Sequence, residues 1–302
     1  MVGGFPAQHG PEPSPHSDEE VELLNRPSRS PDFIGGNTFA ALCGTVLNYG
    51  PMQRNETGRR DWYFCKTDRV DEFFADHAPS RKFVLVTHNS DLPVGEGLSH
   101  HLAGRWLRGW FAANVEVERA RLHPIPLGVA NPRWAHGDVE LLARYRGGRE
   151  KSQLFDLSFS VDTNPRERRY CIEQTGLEPA QARSFPEYLR HLAGSYFCVS
   201  PRGNGLDCHR TWEALYLRTV PVVTRSLLFD RHPDLPVIVL RDWSEFHSID
   251  FGPELYRQVM DGWAPDELSR ERYRARMEHV LSQKRARGSL HATLRRWRSS
   301  TR

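Results

Sequence analysis

The sequence predicts an α/β protein of two domains. Its 302 residues are about twice the length of a common single domain. Continuous apolar runs such as Phe83–Val86, which a polar loop follows directly, are typical of strands buried in a parallel sheet. The stretch Ser195–Thr224 contains a strand, a glycine-bearing loop, a helix and a second strand in succession. Strands that alternate with helices in this way favour parallel sheets covered by helices.

Changes in composition divide the chain into a tail and two domains. Residues Met1–Asp32 are rich in Pro, Ser, Gly and His and carry an acidic cluster, which predicts a disordered tail at 1–32. The charged, glycine-bearing stretch Arg144–Ser152 is a suitable linker. We therefore expect an N-terminal domain at 33–150 and a C-terminal domain at 151–302.

In the N-terminal domain, apolar runs predict three strands, and mixed apolar and charged residues at helical spacing predict three helices. The expected strands are Trp62–Cys65, Arg81–Thr87 and Ile125–Val129. The expected helices are Val70–Asp76, Leu98–Trp110 and Glu140–Arg146.

In the C-terminal domain, Pro165 suits the first position of a helix and Gly176 suits its end. The expected strands are Leu154–Val161, Tyr196–Ser200, Pro221–Thr224 and Pro236–Leu240. The expected helices are Arg166–Thr175, Phe185–Leu192, Cys208–Leu217, Leu255–Met260 and Pro265–Arg285. The basic, amphipathic segment Leu290–Trp297 could lie on a membrane surface or pack back on the domains.

The loop inside Ser195–Thr224 has the residues of a phosphate site. Its glycines, Gly203 and Gly205, permit a close approach of the backbone to a ligand. We expect Asp207 to cap the helix that follows, whose N-terminus favours an anion. Arg202 and Arg210 could each bind a phosphate through two hydrogen bonds.

A carboxylate shares this helix face. Glu213 lies three residues after Arg210, and a carboxylate near a phosphate-binding helix start can accept hydrogen bonds from ribose hydroxyls. Together these residues predict a cradle for a nucleoside diphosphate. The alternative is an ordinary chain reversal, with Arg210 and Glu213 as a surface pair worth about 0.2–0.5 kcal/mol.

The stretch resembles a known signature. The string F-C-V-S-P-R-G-N-G-L-D-C-H-R-T-W-E-A-L is similar to the donor site of exostosin-like glycosyltransferases, closest to short bacterial and viral members with S-P-R-G-N-G-x-D-x-H-R-x-W-E-A-L. Weaker similarity covers Ser158–Arg169, Trp110–Val115 and His123–Asn131. One departure is Arg218, where the family has Gly just after the helix, so we expect the helix exit to use another cap.

The resemblance implies a fold and an activity. It implies a GT-B fold, with two Rossmann-like domains that face each other across a cleft and a nucleotide-sugar donor on the second. It also implies inversion at the transferred carbon and no essential metal. The donor-binding candidates are Asn164, Arg202, Gly203, Asn204, Gly205, His209, Arg210 and Glu213.

The base that an inverting transfer needs should lie on the N-terminal domain. His88 and Asp91 follow the apolar Phe83–Val86 strand in a polar loop, where ligands of parallel sheets bind. We therefore expect His88 or Asp91 to be catalytic, with His100 and His101 in reserve. The alternative is that Asp91 starts a turn and His88 only bonds backbone.

Composition limits the partners. The net charge of +3 gives no reason to expect nucleic acid, and five dispersed cysteines form neither a disulfide framework nor a zinc pattern. We expect a cytoplasmic enzyme of glycan biosynthesis, with at most peripheral membrane contact. It would be a hexosyl- or pentosyltransferase without cofactor or metal that uses a UDP-sugar and a hydroxyl acceptor. The alternative is a non-catalytic protein that binds a nucleotide sugar or another phosphate ligand.

Overall fold

The computed structural model describes residues 33–282 except 135 and 148, and these residues form an α/β protein with two sheets. The strands are β1 Cys43–Leu47, β2 Gln53–Arg54, β3 Arg59–Lys66, β4 Phe83–His88, β5 Leu107–Ala112, β6 Leu122–Pro124, β7 Gln153–Asp156, β8 Ser195–Val199, β9 Val220–Thr224 and β10 Ile238–Leu240. The predicted tail at 1–32 and the segment Leu290–Trp297 lie outside the described residues.

Helices connect most of these strands. They are α1 Gly36–Ala41, α2 Val70–Glu72, α3 Glu96–Ser99, α4 Val139–Tyr145, α5 Pro165–Thr175, α6 Phe185–Ala193, α7 His209–Tyr216, α8 Leu227–Arg231, α9 Pro253–Met260 and α10 at 270–282. Pro165 and Gly176 bound α5 as predicted, with Gly176 in the left-handed conformation.

The first sheet has six strands in the order β2-β1-β3-β4-β5-β6. All its pairs are parallel except the pair of β1 with β2. Side chains of β4 alternate between two apolar layers: Val84 and Val86 face one, and Phe83 and Leu85 face the other. Burial on both faces explains why this strand is continuously apolar.

The second sheet has four parallel strands in the order β10-β9-β8-β7. Each coincides with a strand predicted from the sequence, although β7 ends at Asp156 and is shorter than the expected Leu154–Val161. Apolar residues of this sheet join the layer that also holds Val84 and Val86, so one core extends between the two sheets.

The prediction of a single helix at Leu98–Trp110 was wrong. The segment forms α3, a turn of 3₁₀ helix at His100–Ala103 and then β5. In β5, Trp110 pairs with Leu85 of β4, and Trp110 and Phe111 project into opposite apolar layers. Apolar spacing suited either structure, and pairing with β4 decides for the strand.

Two other strands differ from prediction. The strand expected at Ile125–Val129 lies earlier, as β6. The amide of Ile125 still donates to Ala112, at 2.9 Å, but the chain then leaves the sheet. Strand β1 was not predicted, because its residues C-G-T-V-L mix apolar and polar types without clear alternation.

The helix expected at Pro265–Arg285 has a break. A 3₁₀ turn at Pro265–Leu268 precedes α10. Tyr273, Met277 and Leu281, four residues apart, bury one face of α10 in the shared core. Its polar side chains reach elements of both sheets: Glu278 pairs with Arg59 of β3 at 2.6 Å, and Arg276 pairs with Asp234, which precedes β10.

The exit of α7 needs no separate cap. Arg218 itself adopts the left-handed conformation, with φ of 54°, that glycine takes more easily. Its Nη1 donates to the carbonyl of Trp263 at 2.7 Å, and its own carbonyl accepts from Tyr256 Oη at 2.8 Å. These two contacts hold Arg218 in that conformation, although the sequence led us to expect that another residue would cap the helix.

A buried tyrosine connects the start of the described chain to α7 and to the segment before α10. The hydroxyl of Tyr216 accepts from the amide of Ile34 and donates to the carbonyl of Leu268, both at 2.8 Å. Since Tyr216 is fully buried, no water can replace it at these two backbone groups.

Tyr216→Phe should lower the free energy of unfolding by about 1–3 kcal/mol, because it leaves a buried amide and a buried carbonyl without partners. Tyr196→Phe is the matched control, since Tyr196 is half-buried and packs against Tyr256 by its ring. Urea unfolding of both variants tests this, and equal losses would contradict it.

Candidate functional site

A cleft of about 940 Å³ lies where the carboxyl ends of the two sheets meet. The register pairs Lys66 with His88 and Thr87 with Ala112, so the loops after β3, β4 and β5 start at one edge. Asp68 and Asp91 line the cleft from these loops. Ligands of parallel sheets bind at such edges.

The glycine loop is held by an asparagine of the first sheet's edge. Oδ1 of Asn114 accepts from the amides of Leu206, at 2.9 Å, and Asp207, at 3.1 Å. Its Nδ2 donates to the carbonyl of Ser90 at 3.1 Å. A Cβ on Gly205 would lie 2.8 Å from this Nδ2. The close approach of the Asn114 side chain, rather than of a ligand, therefore explains why position 205 is a glycine.

The sequence predicted that Asp207 caps α7, and this prediction was wrong. The N-cap is Cys208. Oδ1 of Asp207 accepts from the amide of Cys208 at 2.7 Å, while Oδ2 accepts from the amide of Leu127 at 2.9 Å and from Trp212 Nε1 at 2.7 Å. Burial raises the pKa of Asp207 to about 6, although these bonds favour its charged form.

Arg210 brings a buried positive charge to the cleft wall. It is 9% exposed, its Nε donates to the carbonyl of Ser158 at 3.0 Å, and its guanidinium lies 5.1 Å from the ring centroid of Phe159. Among the described residues its Nη1 has no hydrogen-bond partner. A buried donor without a partner is costly, so an anion in the cleft would gain from binding there.

Arg168 is a second arginine at this wall, which the sequence analysis did not select. Its guanidinium lies 5.5 Å from the Phe159 ring, and its Nε donates to the carbonyl of Arg202 at 3.2 Å. Burial and the charge of Arg210 lower its pKa to about 10. Membership in the similar stretch Ser158–Arg169 was the signal that could have identified it.

Two donor-site candidates do not line the cleft. Arg202 is half exposed, with Nε 3.9 Å from Oε2 of Glu167. Asn164 caps α5 by accepting from the amide of Glu167, and its Nδ2 donates to the carbonyl of Gly203 at 2.9 Å. The structure thus places Arg202 on the outside and gives Asn164 a role in holding the glycine loop.

Glu213 lines the cleft and is buried, so the alternative of a surface pair with Arg210 was wrong. Its Oε2 accepts from Tyr188 Oη at 2.6 Å. Burial raises the pKa of Glu213 to about 7, against the effects of the Tyr188 hydrogen bond and the Arg210 charge. Near neutral pH this carboxyl therefore accepts or donates hydrogen bonds readily.

His88 lies at the cleft, but backbone groups occupy both of its ring nitrogens. Nδ1 accepts from the amide of Asn89 at 2.7 Å, and Nε2 lies 3.2 Å from the carbonyl of Pro126. Since the Asn89 amide only donates and the Pro126 carbonyl only accepts, these two contacts suit a neutral ring with its proton on Nε2. Burial lowers the pKa of His88 to about 4. This geometry leaves His88 no nitrogen to take a substrate proton and favours the backbone-bonding alternative.

Asp91 is exposed and faces the glycine loop across the cleft. Its Oδ2 accepts from Nδ2 of Asn204 at 3.2 Å. His209, also in the lining, bonds through Nδ1 to the carbonyl of Gly128 at 2.6 Å. The reserve candidates His100 and His101 lie outside the lining of the cleft.

The loop that carries Asp91 rests on a cluster of asparagines. Asn89, with φ of 58°, accepts from Asn131 at 2.9 Å and donates to Asn48 at 3.2 Å. A Cβ on Gly36 would overlap Oδ1 of Asn89, at 1.6 Å. This cluster could not be predicted from the sequence, because its members are far apart in the chain.

Comparison with known proteins adds no relative. No protein-family model matches the chain, and no curated protein matches it significantly. Among the described residues, no helix is both long and apolar enough to cross a bilayer.

Glu213→Gln should change how stability depends on pH. The pKa of Glu213 is higher in the folded chain, so wild-type protein loses stability from this group as the pH rises from about 4.5 to about 7. The variant avoids that loss, so its stability relative to wild type should rise over this window by up to about 3 kcal/mol.

Urea unfolding at several pH values measures this difference. Glu187→Gln is a control of opposite sign, because bonds from Ser184 lower the pKa of Glu187. That variant should lose stability relative to wild type as the pH rises. A pH-independent difference for Glu213→Gln would refute the predicted shift.

Proposed function

We propose that the protein is a glycosyltransferase of glycan biosynthesis that transfers a sugar from a nucleoside-diphosphate sugar, a uridine one, to a hydroxyl of a glycan or other acceptor. The observation that carries the proposal is the buried Arg210 at the wall of a cleft between the two sheets. Its Nη1 lacks a hydrogen-bond partner among the described residues. The resemblance of Ser195–Thr224 to exostosin-like transferases points to the same activity.

The donor would bind on the side of the second sheet. Its diphosphate would lie beside Arg210 and Arg168, near the first turn of α7, because the N-terminus of a helix favours anions. Glu213 would accept hydrogen bonds from the ribose. In this arrangement the arginines stabilise the charge that develops on the leaving diphosphate, so no metal is needed.

The acceptor would bind on the side of the first sheet. Asp91 is the proposed base: its carboxylate takes the proton of the acceptor hydroxyl as that oxygen attacks the anomeric carbon and the bond to the diphosphate breaks. Attack from the face opposite the leaving group inverts the configuration. In this proposal the two sheets form the paired Rossmann-like domains of a GT-B fold.

Five buried, unpaired cysteines fit a reducing compartment, the cytoplasm.

A binding protein without catalysis is the second candidate. The occupied nitrogens of His88 favour it, since they remove one of the two expected bases. The two candidates share the donor cradle and differ only in whether the donor is cleaved.

A donor screen separates them. Purified protein is incubated in EDTA with a panel of nucleotide sugars and hydroxyl acceptors, and both donor binding and release of nucleoside diphosphate are measured. Acceptor-dependent release supports transfer. Binding without release supports the second candidate, and neither binding nor release would refute both.

Arg210→Ala should weaken donor binding by about 10- to 100-fold, because a charged hydrogen-bond partner is worth about 1.5–3 kcal/mol. Arg202→Ala is the matched control on the same loop and should stay close to wild type, since Arg202 faces Glu167 outside the cleft. Calorimetry with a nucleoside diphosphate measures both. Equal affinities in the two variants would remove Arg210 from the donor site.

Asp91→Asn should lower turnover by about 10²- to 10⁴-fold with donor saturating, as expected for loss of a general base. Asn204→Ala is the control, because it removes the hydrogen bond to Asp91 and keeps the carboxylate. Wild-type turnover in Asp91→Asn would place the base elsewhere.

A further inference from the structure

A second group of polar side chains lies outside the cleft, in two of the connections between strands of the first sheet. Asp71, from α2, and two histidines, His100 and His101, each place a metal-binding atom within 4.8 Å of the others. None of the three lines the cleft. We infer that this cluster binds a divalent transition-metal ion of the Zn²⁺ type.

The His101 ring is fixed before any ion binds. It stacks on Phe74 with ring centroids 4.1 Å apart and an angle of 6° between the planes. Its Nε2 lies 2.7 Å from Oδ1 of Asp71. An ion between these two atoms requires only a small separation, because zinc bonds to nitrogen and carboxylate oxygen are about 2.0–2.2 Å long.

The His100 ring is held by the backbone. Its Nδ1 lies 2.9 Å from the carbonyl of Gly97, which can only accept a hydrogen bond. The neutral ring therefore carries its proton on Nδ1 and a lone pair on Nε2. A histidine ligand typically donates its other N–H to a carbonyl or carboxylate in this way.

The ligand set selects the class of metal. Two imidazoles and one carboxylate suit zinc and its neighbours, whereas Mg²⁺ and Ca²⁺ prefer oxygen ligands throughout. Asp71 is 76% exposed at its side chain and His101 is 14% exposed, so an ion can enter from solvent and keep water in its remaining positions.

An ion here would join two segments that are distant in sequence. Asp71 belongs to the connection after β3. Lys66, at the end of β3, and Asp68, in this connection, both line the cleft. His100 and His101 belong to the turn before β5. We therefore assign the ion a role in stabilising the fold. This role is independent of the proposed sugar transfer.

The test uses the full chain without an affinity tag, after chelator treatment and dialysis. Calorimetry should give one Zn²⁺ site, and the Tm should rise by about 5 °C or more when Zn²⁺ reaches roughly a hundredfold excess over its Kd. Mg²⁺ at the same concentration should give neither signal.

Variants locate the ion. Asp71→Ala and His100→Ala both change exposed side chains, so they should fold, and each should weaken Zn²⁺ binding at least tenfold. His247→Ala, which changes an exposed histidine away from the cluster, should bind as wild type. Wild-type affinity in both cluster variants, or no zinc signal in the unmodified chain, would overturn the inference. Donor binding is measured separately on the same variants, as a readout of the cleft that does not depend on the ion.

Discussion

The buried carboxylate of Asp207 holds together the parts on which the cleft depends. It accepts hydrogen bonds from the amides of Leu127 and Cys208 and from the indole of Trp212. These donors belong to the connection after the first sheet, to the cap of α7 and to α7 itself. Because a buried carboxylate is costly without such partners, the three segments are constrained to one arrangement. That arrangement fixes the distance between the two walls of the cleft.

On the wall from the second sheet, Arg168 and Arg210 form no ion pair with a carboxylate among the described residues, whereas Arg183 lies 4.0 Å from Oδ1 of Asp156. Arg168 and Arg210 donate to backbone carbonyls and lie against Phe159, while the nearby Glu213 bonds to Tyr188. Carbonyl oxygens do not neutralise a guanidinium, so its charge remains available to a ligand. On the opposite wall, Lys66 pairs with Asp68, and Asp91 adds a carboxylate. This asymmetry suits a ligand with one anionic end and one neutral end.

The sequence predicted the parallel strands best, because burial on both faces makes them continuously apolar. It did not predict strands at β1 and β5, because whether these segments form strands depends on pairing partners far along the chain. At the site, the sequence identified Arg210 and Glu213 through their spacing on one helix. It could not show that Arg202 turns outward or that Arg168 turns inward, since both depend on how α5 packs beside the loop. It also could not show that backbone groups occupy both nitrogens of His88.

The residues of the glycine-loop signature therefore divide into two groups. Gly205 and Asp207 build the loop, through the close approach to Asn114 and the bonds to three segments, and Asn164, from the similar stretch upstream, supports it by its bond to Gly203. Arg210 and Glu213 face the cleft. A chain could retain the first group for folding alone, so similarity across the whole signature indicates the shape of the loop more than its chemistry. Arg210 also donates through Nε to the carbonyl of Ser158, but its Nη1 bonds to no described residue, so part of its buried guanidinium is left for a ligand. It is therefore the feature from which a function of this cleft is best argued.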